Sequence, residues 1–471
     1  MKTLQTGRRQ RGVGAVLVVM VLFFVVSLMA AYTSRNLIFE QKTSANQTRA
    51  TMGFEAADAG IEWVLTQLNG GLINDSCEDT APSDSFQRRY LVADANGYFT
   101  HTTRAADSWP TCVFNGTEWT CRCPRATSLT PPDSTGTGPF PSFRVWPATK
   151  EPTSTTFSPY TAVSFVRPAL ISVASAGCSV LPATANQDST GGANGNCLSY
   201  MPRGGFGEGI GSTRVYLGLR SGLISPPAVP LTARRTVTAT PIGAKLKLVN
   251  TDHASGGFTI NAGDGVDASI FDARTVPGTP GSASLLADDP RLFELNTPST
   301  GPMPLSAGER MFVSTFGMKR QTYRDQPGLR VCFDPCTAAQ IDTLLNNNPN
   351  RIIWVEGNLT VDTNIGTAGA PVLLIVNADT LTLATNVNIY GFVYLTGAAS
   401  ATTTINLPAA SPPPTITGAL AVEGSLTVSY ASAPAVGQEL TITYDPVPLN
   451  LLRTTYGSWV RVVGGWRDFK E

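Results

Sequence analysis

From Val13 to Ala31 the chain reads VGAVLVVMVLFFVVSLMAA, 19 residues in which Ser27 is the one polar side chain. As a helix this run spans roughly 28 Å, close to the hydrocarbon thickness of a bilayer. An element apolar on every side must lie in lipid or be packed all round, which constrains the fold more than any other feature of the chain. The helical pattern continues past the run. No proline precedes Pro82, and Phe54, Ala57, Ile61, Val64, Leu65 and Leu68 recur at the i, i+3, i+4 and i+7 spacing of an amphipathic helix, which Asn69-Gly70-Gly71 then ends. The spacing predicts one helix from Val13 to Leu68, roughly 84 Å long at about 1.5 Å per residue.

Charge orients this helix. Lys2, Arg8, Arg9 and Arg11 precede the apolar run, Arg35 follows it, and the first acid is Glu40, so residues 1–12 are expected on the cytoplasmic side. Two other readings compete. A cleaved secretory signal fits the basic start, the apolar core and the small residues Ala30-Ala31, although the run is long for one and the helical pattern outlasts it. A single-pass anchor with a helical stalk fits as well. Over the whole chain, 34 Lys and Arg balance 34 Asp and Glu, and only 14% of the 471 residues are charged. Binding nucleic acid requires clustered basic charge, so that class is excluded.

The residues around the apolar run carry a resemblance. Arg8-Arg9-Gln10-Arg11-Gly12 leading into it is similar to a type III prepilin leader. Glu40-Gln41-Lys42 and Phe54-Glu55-Ala56-Ala57-Asp58-Ala59-Gly60 resemble the N-terminal region of PilX-type minor pilins of the type IV pilus family. The likeness covers roughly residues 8–68. It implies cleavage by a prepilin peptidase between Gly12 and Val13, with Gly14-Ala15 as an alternative, and N-methylation of Val13. It also implies a helix that packs against copies of itself in a filament core, and Phe54, Ala57, Ile61 and Leu65 are the residues expected in helix packing. The partners implied are other minor and major pilins, the prepilin peptidase and an inner-membrane assembly platform. Pilins of this family usually carry a glutamate at the fifth mature position, which is Leu17 here. In related secretion filaments the same departure accompanies a bulky tip subunit, so the resemblance places this chain at or near a filament tip. It further implies an inner-membrane protein with a periplasmic body before assembly, and a pilus or cell-surface location afterwards.

All eight cysteines, Cys77, Cys112, Cys121, Cys123, Cys178, Cys197, Cys332 and Cys336, follow the apolar run, as expected of disulfides in an oxidising compartment. Cys178 and Cys197 flank a Gly/Asn/Ser loop and are expected to bridge it. In Cys332-Phe333-Asp334-Pro335-Cys336 a turn separates two thiols, which suits a bond between them better than a metal. The other pairings stay open. His101 and His253 are the only histidines, and the loose group Asp264, Asp267 and Asp272 matches no EF-hand. No metal and no cofactor is expected. Gly205 to Gly211, GFGEGIG, lacks the lysine and flanking elements of a phosphate loop and reads as a surface loop.

Residues 72–160 read as a disulfide-stapled, loop-rich region. Residues 161–350 read as β-rich and pilin-like, with strands over Thr161–Val173 and Thr213–Leu219. From Arg351 the texture becomes repetitive: VEGNLTV from Val355 nearly recurs as VEGSLTV from Val422, with a looser copy from Val376, and Val393-Tyr394-Leu395 adds another rung. A period near 21 residues predicts a parallel β-solenoid over 351–471, with a β-sandwich as the alternative. The tail, Leu449 to Glu471 with Trp459 and Trp466, is expected to cover the end of that stack. The fold class is thus α+β, a long helix followed by a mostly β body.

Three functions follow. The first is filament assembly, as primer or tip subunit; the second is adhesion by the β body; the third is a polysaccharide-cleaving enzyme. The acids of the repeat region, Glu356, Asp362, Asp379, Glu423, Glu439 and Asp445, include two at equivalent repeat positions, Glu356 and Glu423, as expected of rung decoration. No catalytic motif occurs, so no enzyme and no catalytic residue is expected.

Overall fold

The computed structural model describes residues 13–78, 84–94, 96–101, 109–125, 141–147, 168–179, 209–300, 304–397, 402–408 and 412–467. Helix α1 runs unbroken from Val13 to Asn69. Residues 14–51 are exposed along the whole of their length, and close packing starts at Gly53. Six further helices are short: α2 (Phe86–Tyr90), α3 (Pro290–Glu294), α4 (Ala307–Phe316), α5 (Arg320–Arg324), α6 (Ala338–Asn347) and α7 (Pro446–Thr455).

The buried end of α1 lies on a six-stranded antiparallel sheet. Its strands, in spatial order, are Gly457–Arg467, Ile210–Ser221, Leu170–Cys178, Ser142–Pro147, Thr111–Phe114 and Trp119–Arg122. Ile61, Val64 and Leu68 of the helix share one core with Phe143, Val145, Ile171, Val173, Val215, Leu217 and Trp459 of the sheet. Three of these strands come from the stretch expected to be loops. They are short, and Ser142–Pro147 is almost wholly buried, so no period-2 alternation marks it. The strand expected over Thr161–Val173 runs from Leu170 to Cys178, and residues 161–167 lie outside the described ones.

Two small antiparallel pairs, Leu72–Ile73 with Asp84–Ser85 and Leu91–Ala93 with Phe99–His101, lie beside the antiparallel sheet, and two parallel sheets make up most of the remaining body. The larger runs, in spatial order, through Phe271–Arg274, Leu246–Val249, Thr441–Tyr444, Thr415–Val422, Asn388–Leu395, Val372–Asn377, Ile352–Glu356 and Leu329–Cys332. The smaller runs through Val237–Thr240, Ser425–Tyr430, Thr402–Leu407, Thr380–Leu383 and Leu359–Val361. From Ile352 to Tyr444 successive strands alternate between the sheets, and Ile352 pairs with Leu373, 21 positions on. Sequence texture explains which strand goes where. The smaller sheet faces the other on one side only, and its strands alternate, as in TLTL from Thr380 with Leu381 and Leu383 inward. The larger sheet is covered on both faces, so its strands read as unbroken apolar runs such as VLLIV from Val372. Ile353, Val355, Leu374 and Val376 face the smaller sheet. Ile352, Trp354, Leu373 and Ile375 face Phe312 and Phe316 of α4, Tyr323 of α5 and Leu452 of α7.

Parallel pairing also starts earlier in the chain than the repeats do. Leu231–Ala233 pairs with Leu420–Val422, and Val237–Thr240 pairs with Leu426–Ser429, so residues 231–274 extend both parallel sheets beyond the C-terminal repeat strands. The chain then returns along the outer face through α3, α4 and α5 and re-enters at the opposite end with Leu329–Cys332. The tail differs from expectation: α7 covers the broad face of the larger sheet, and Gly457–Arg467 adds to the antiparallel sheet beside Ile210–Ser221. Trp459 is drawn there because the apolar pocket formed by Phe99 and its neighbours needs filling, and its ring meets that of Phe99 at 5.0 Å.

Candidate functional site: the N-terminal helix and its seam

Gly12 lies outside the described residues, and Val13 is the first residue of α1. Leu17 is 62% exposed, like the other side chains around it. Exposed apolar side chains continue past the membrane-length run, with Tyr32, Leu37, Ile38 and Phe39 open to solvent. Four threonines of the exposed stretch bond within the helix. Thr33, Thr43, Thr48 and Thr51 each donate to the carbonyl four residues earlier, at 2.7 to 3.0 Å, so their hydroxyl protons are used within the helix.

The seam between α1 and the antiparallel sheet is built on glycine. A Cβ on Gly177 would overlap the backbone of Gly53 and Ala57, and one on Gly211 would overlap Gly53 and Phe54. Helix and strands thus touch backbone to backbone, which only residues without side chains permit. Ala57 and Ile61 are fully buried in this seam, whereas Phe54 and Leu65 are half-buried at its margins. Phe54 meets Trp466 edge to face at 6.2 Å. Arg461 reaches Glu62 at 2.7 Å and Asp58 at 3.6 Å from the edge strand. Of the surface loop expected over Gly205 to Gly211, residues 205–208 lie outside the described ones, while Gly209 and Gly211 stand at the start of the strand Ile210–Ser221 against Gly53. The small residue in the helix at Gly53 is the signal for this contact.

The end of α1 is held by the β body. Asn69 donates to the Trp459 carbonyl and accepts from the Trp459 amide, both at 2.9 Å. Arg351, 1% exposed, donates to the carbonyls of Leu68 at 2.6 Å and Gly70 at 2.8 Å, and Arg330 donates to that of Asn69 at 3.0 Å. The last carbonyls of a helix lack intrahelical partners and carry partial negative charge, so buried guanidinium groups complement them. Burial pulls the Arg351 pKa down to about 9, with Arg330 adding to the effect.

The cysteines staple the two ends of the body. Cys77–Cys123 and Cys112–Cys121 lie in the antiparallel part, and Cys332–Cys336 closes the turn before α6. Cys178 is disulfide-bonded, and the expected Cys178–Cys197 bridge involves a residue outside the described ones. The aspartates weighed for calcium have local roles. Asp267 caps a short helical turn at Ser269, Asp264 pairs with Arg235, and Asp272 pairs with Arg274. No metal-ligating cluster occurs among the described residues.

Glu356 and Glu423 do more than decorate rungs. Strand register aligns Glu356, Asn377, Thr396 and Glu423 on consecutive rungs at one corner of the larger sheet. Asn377 donates to Glu356 at 2.7 Å, and Thr396 donates to Asn377 at 2.8 Å. The helical return clamps both ends of this ladder, Arg324 to Glu356 and Arg320 to Glu423, each at 2.6 Å. Burial alone would raise the Glu356 pKa, but hydrogen bonds from Asn377, Arg324 and Trp354 outweigh it and hold the carboxyl below its usual value. Glu423 is 2% exposed, and burial pushes its pKa up to about 8 against the opposing pull of Arg320. Three strand spacings separate the two backbones, about 14 Å.

No family model matches the chain, and no curated protein resembles it closely enough to count as a relative.

Proposed function

We propose that the chain is a minor subunit of a type IV pilus or related filament, anchored in the inner membrane by α1 until assembly and placed at or near the filament tip. The observation that carries this reading is the reach of exposed apolar surface on α1. Apolar side chains recur as far as Phe39, 27 residues and about 40 Å of helix from Val13, against a hydrocarbon layer of about 30 Å. Leu37, Ile38 and Phe39 lie exposed between Arg35-Asn36 and Glu40-Gln41-Lys42, an apolar patch beyond membrane length that suits protein partners.

The resemblance over residues 8–68 supplies the class of partner: other pilins, a prepilin peptidase and an assembly platform. Leu17 at the fifth mature position leaves no carboxylate to pair with a neighbouring subunit's amine. That loss is best tolerated where no subunit lies ahead. The bulk of the body agrees, since a large body is hard to fit around a tightly stacked helical core. We read its two parallel sheets as a β-solenoid sealed along one face by α4, α5 and α7.

Expression of the full chain with and without a prepilin peptidase, followed by intact mass and N-terminal sequencing, tests the proposal. The expected product starts at N-methylated Val13, depends on the peptidase, and is lost in Gly12→Glu. A product starting near Ala31 in the absence of the peptidase would mean an ordinary secretory signal and would overturn the reading.

A further inference from the structure

Between the ladder and the helical return lies an open cleft of about 600 Å³. Its walls include Glu309, Lys319, Arg320 and Arg324 from α4, α5 and their link, and Glu356 and Asn377 from the ladder. A volume of this size suits a ligand of a few linked rings. The polar groups are fixed before any ligand arrives. Glu356 accepts from Arg324, Trp354 and Asn377, the Asn377 carbonyl oxygen is engaged by Thr396, and Glu309 accepts from the Arg320 backbone amide at 2.7 Å. Lys319 is exposed at the rim and carries no ion pair among the described residues.

The mixture of groups selects the ligand class. A small free anion would meet Glu309 and Glu356, and a metal cation would meet three basic side chains. An apolar ligand would strand the charged walls without water. Hydroxyl groups both donate and accept, so a polyhydroxylated ligand can bond carboxylate, amide and guanidinium side by side. We propose that this cleft binds an oligosaccharide segment, seated across the Glu356–Asn377 end of the ladder. The site belongs to the β body and stands apart from the processing of α1. The peptidase result and the binding result can therefore fail separately.

The test is isothermal titration of the full chain in a zwitterionic detergent without a sugar headgroup. The probes are chitotetraose, cellotetraose and tetragalacturonate, with inorganic phosphate for comparison. Saturable binding of at least one oligosaccharide is expected, weakened tenfold or more in both Lys319→Ala and Arg324→Ala. Lys319 is exposed, so the first variant keeps the unfolding midpoint of the parent and separates lost contact from lost structure. The proposal is overturned if none of the three oligosaccharides binds, if phosphate alone binds, or if both variants bind as the parent does.

Discussion

Glu423 shows how a side chain read as surface decoration can become a buried ionisable group. Its carboxyl lies against Arg320, beside Gly308 at the start of α4, and its backbone carbonyl accepts from Arg234. The folded pKa of about 8 exceeds the ordinary 4.5, so between these values the folded chain binds more protons than the unfolded one. Stability from this group is complete below about pH 4.5 and is lost as pH rises toward about 8. In urea titrations across that range, Glu423→Gln should lose less stability with rising pH than the parent. Parallel profiles would show that Glu423 does not titrate there. The equivalence of Glu356 and Glu423 was legible from the VEG repeats, because a repeat fixes register. Their partners were not. Arg320 and Glu423 are 103 positions apart, and only the return of the chain over the outer face brings them together.

At the scale of elements, α1 was readable because absence of proline, an apolar run and a 3.6-residue stripe all point the same way. Which side chains carry its packing was less so. Phe54 and Leu65 fall on the stripe yet sit at the margins, while Ile61 is fully buried. Ile61→Ala should therefore cost about 3 kcal/mol and Phe54→Ala about 1 kcal/mol in the stability of the packed unit. Equal losses in denaturant unfolding would contradict this ranking. The glycine contacts set a sharper condition. Gly177→Ala pushes a methyl into the helix backbone, where no rotamer can relieve it, and should cost about 3 kcal/mol. A variant as stable as the parent would mean that helix and sheet are not in backbone contact. Short strands such as Thr111–Phe114 escaped sequence reading because so few residues cannot display a period.

On the scale of the whole molecule, hydrogen bonds join the two kinds of sheet. Arg351 and Arg330 bind the end of α1, Ser221 donates to the Arg453 carbonyl at 2.6 Å, and Gly328 donates to Ser458 at 2.8 Å. Ser458 belongs to the C-terminal strand, which was expected at the end of the parallel sheets and lies in the antiparallel one. An exposed strand edge invites pairing wherever it occurs, and Ile210–Ser221 offers a longer edge than any described strand of the parallel sheets. Deleting residues 457–471 would uncover that edge, empty the Trp459 pocket beside Phe99 and remove both hydrogen bonds between Asn69 and Trp459. The parallel sheets keep their own cores on both faces of the larger sheet and should survive. Limited proteolysis read by mass spectrometry should then show cuts in residues 84–221 with protection retained over 329–444. Uniform loss of protection would mean that the two parts fold as one unit, and unchanged protection would mean that the strand is dispensable to the antiparallel sheet.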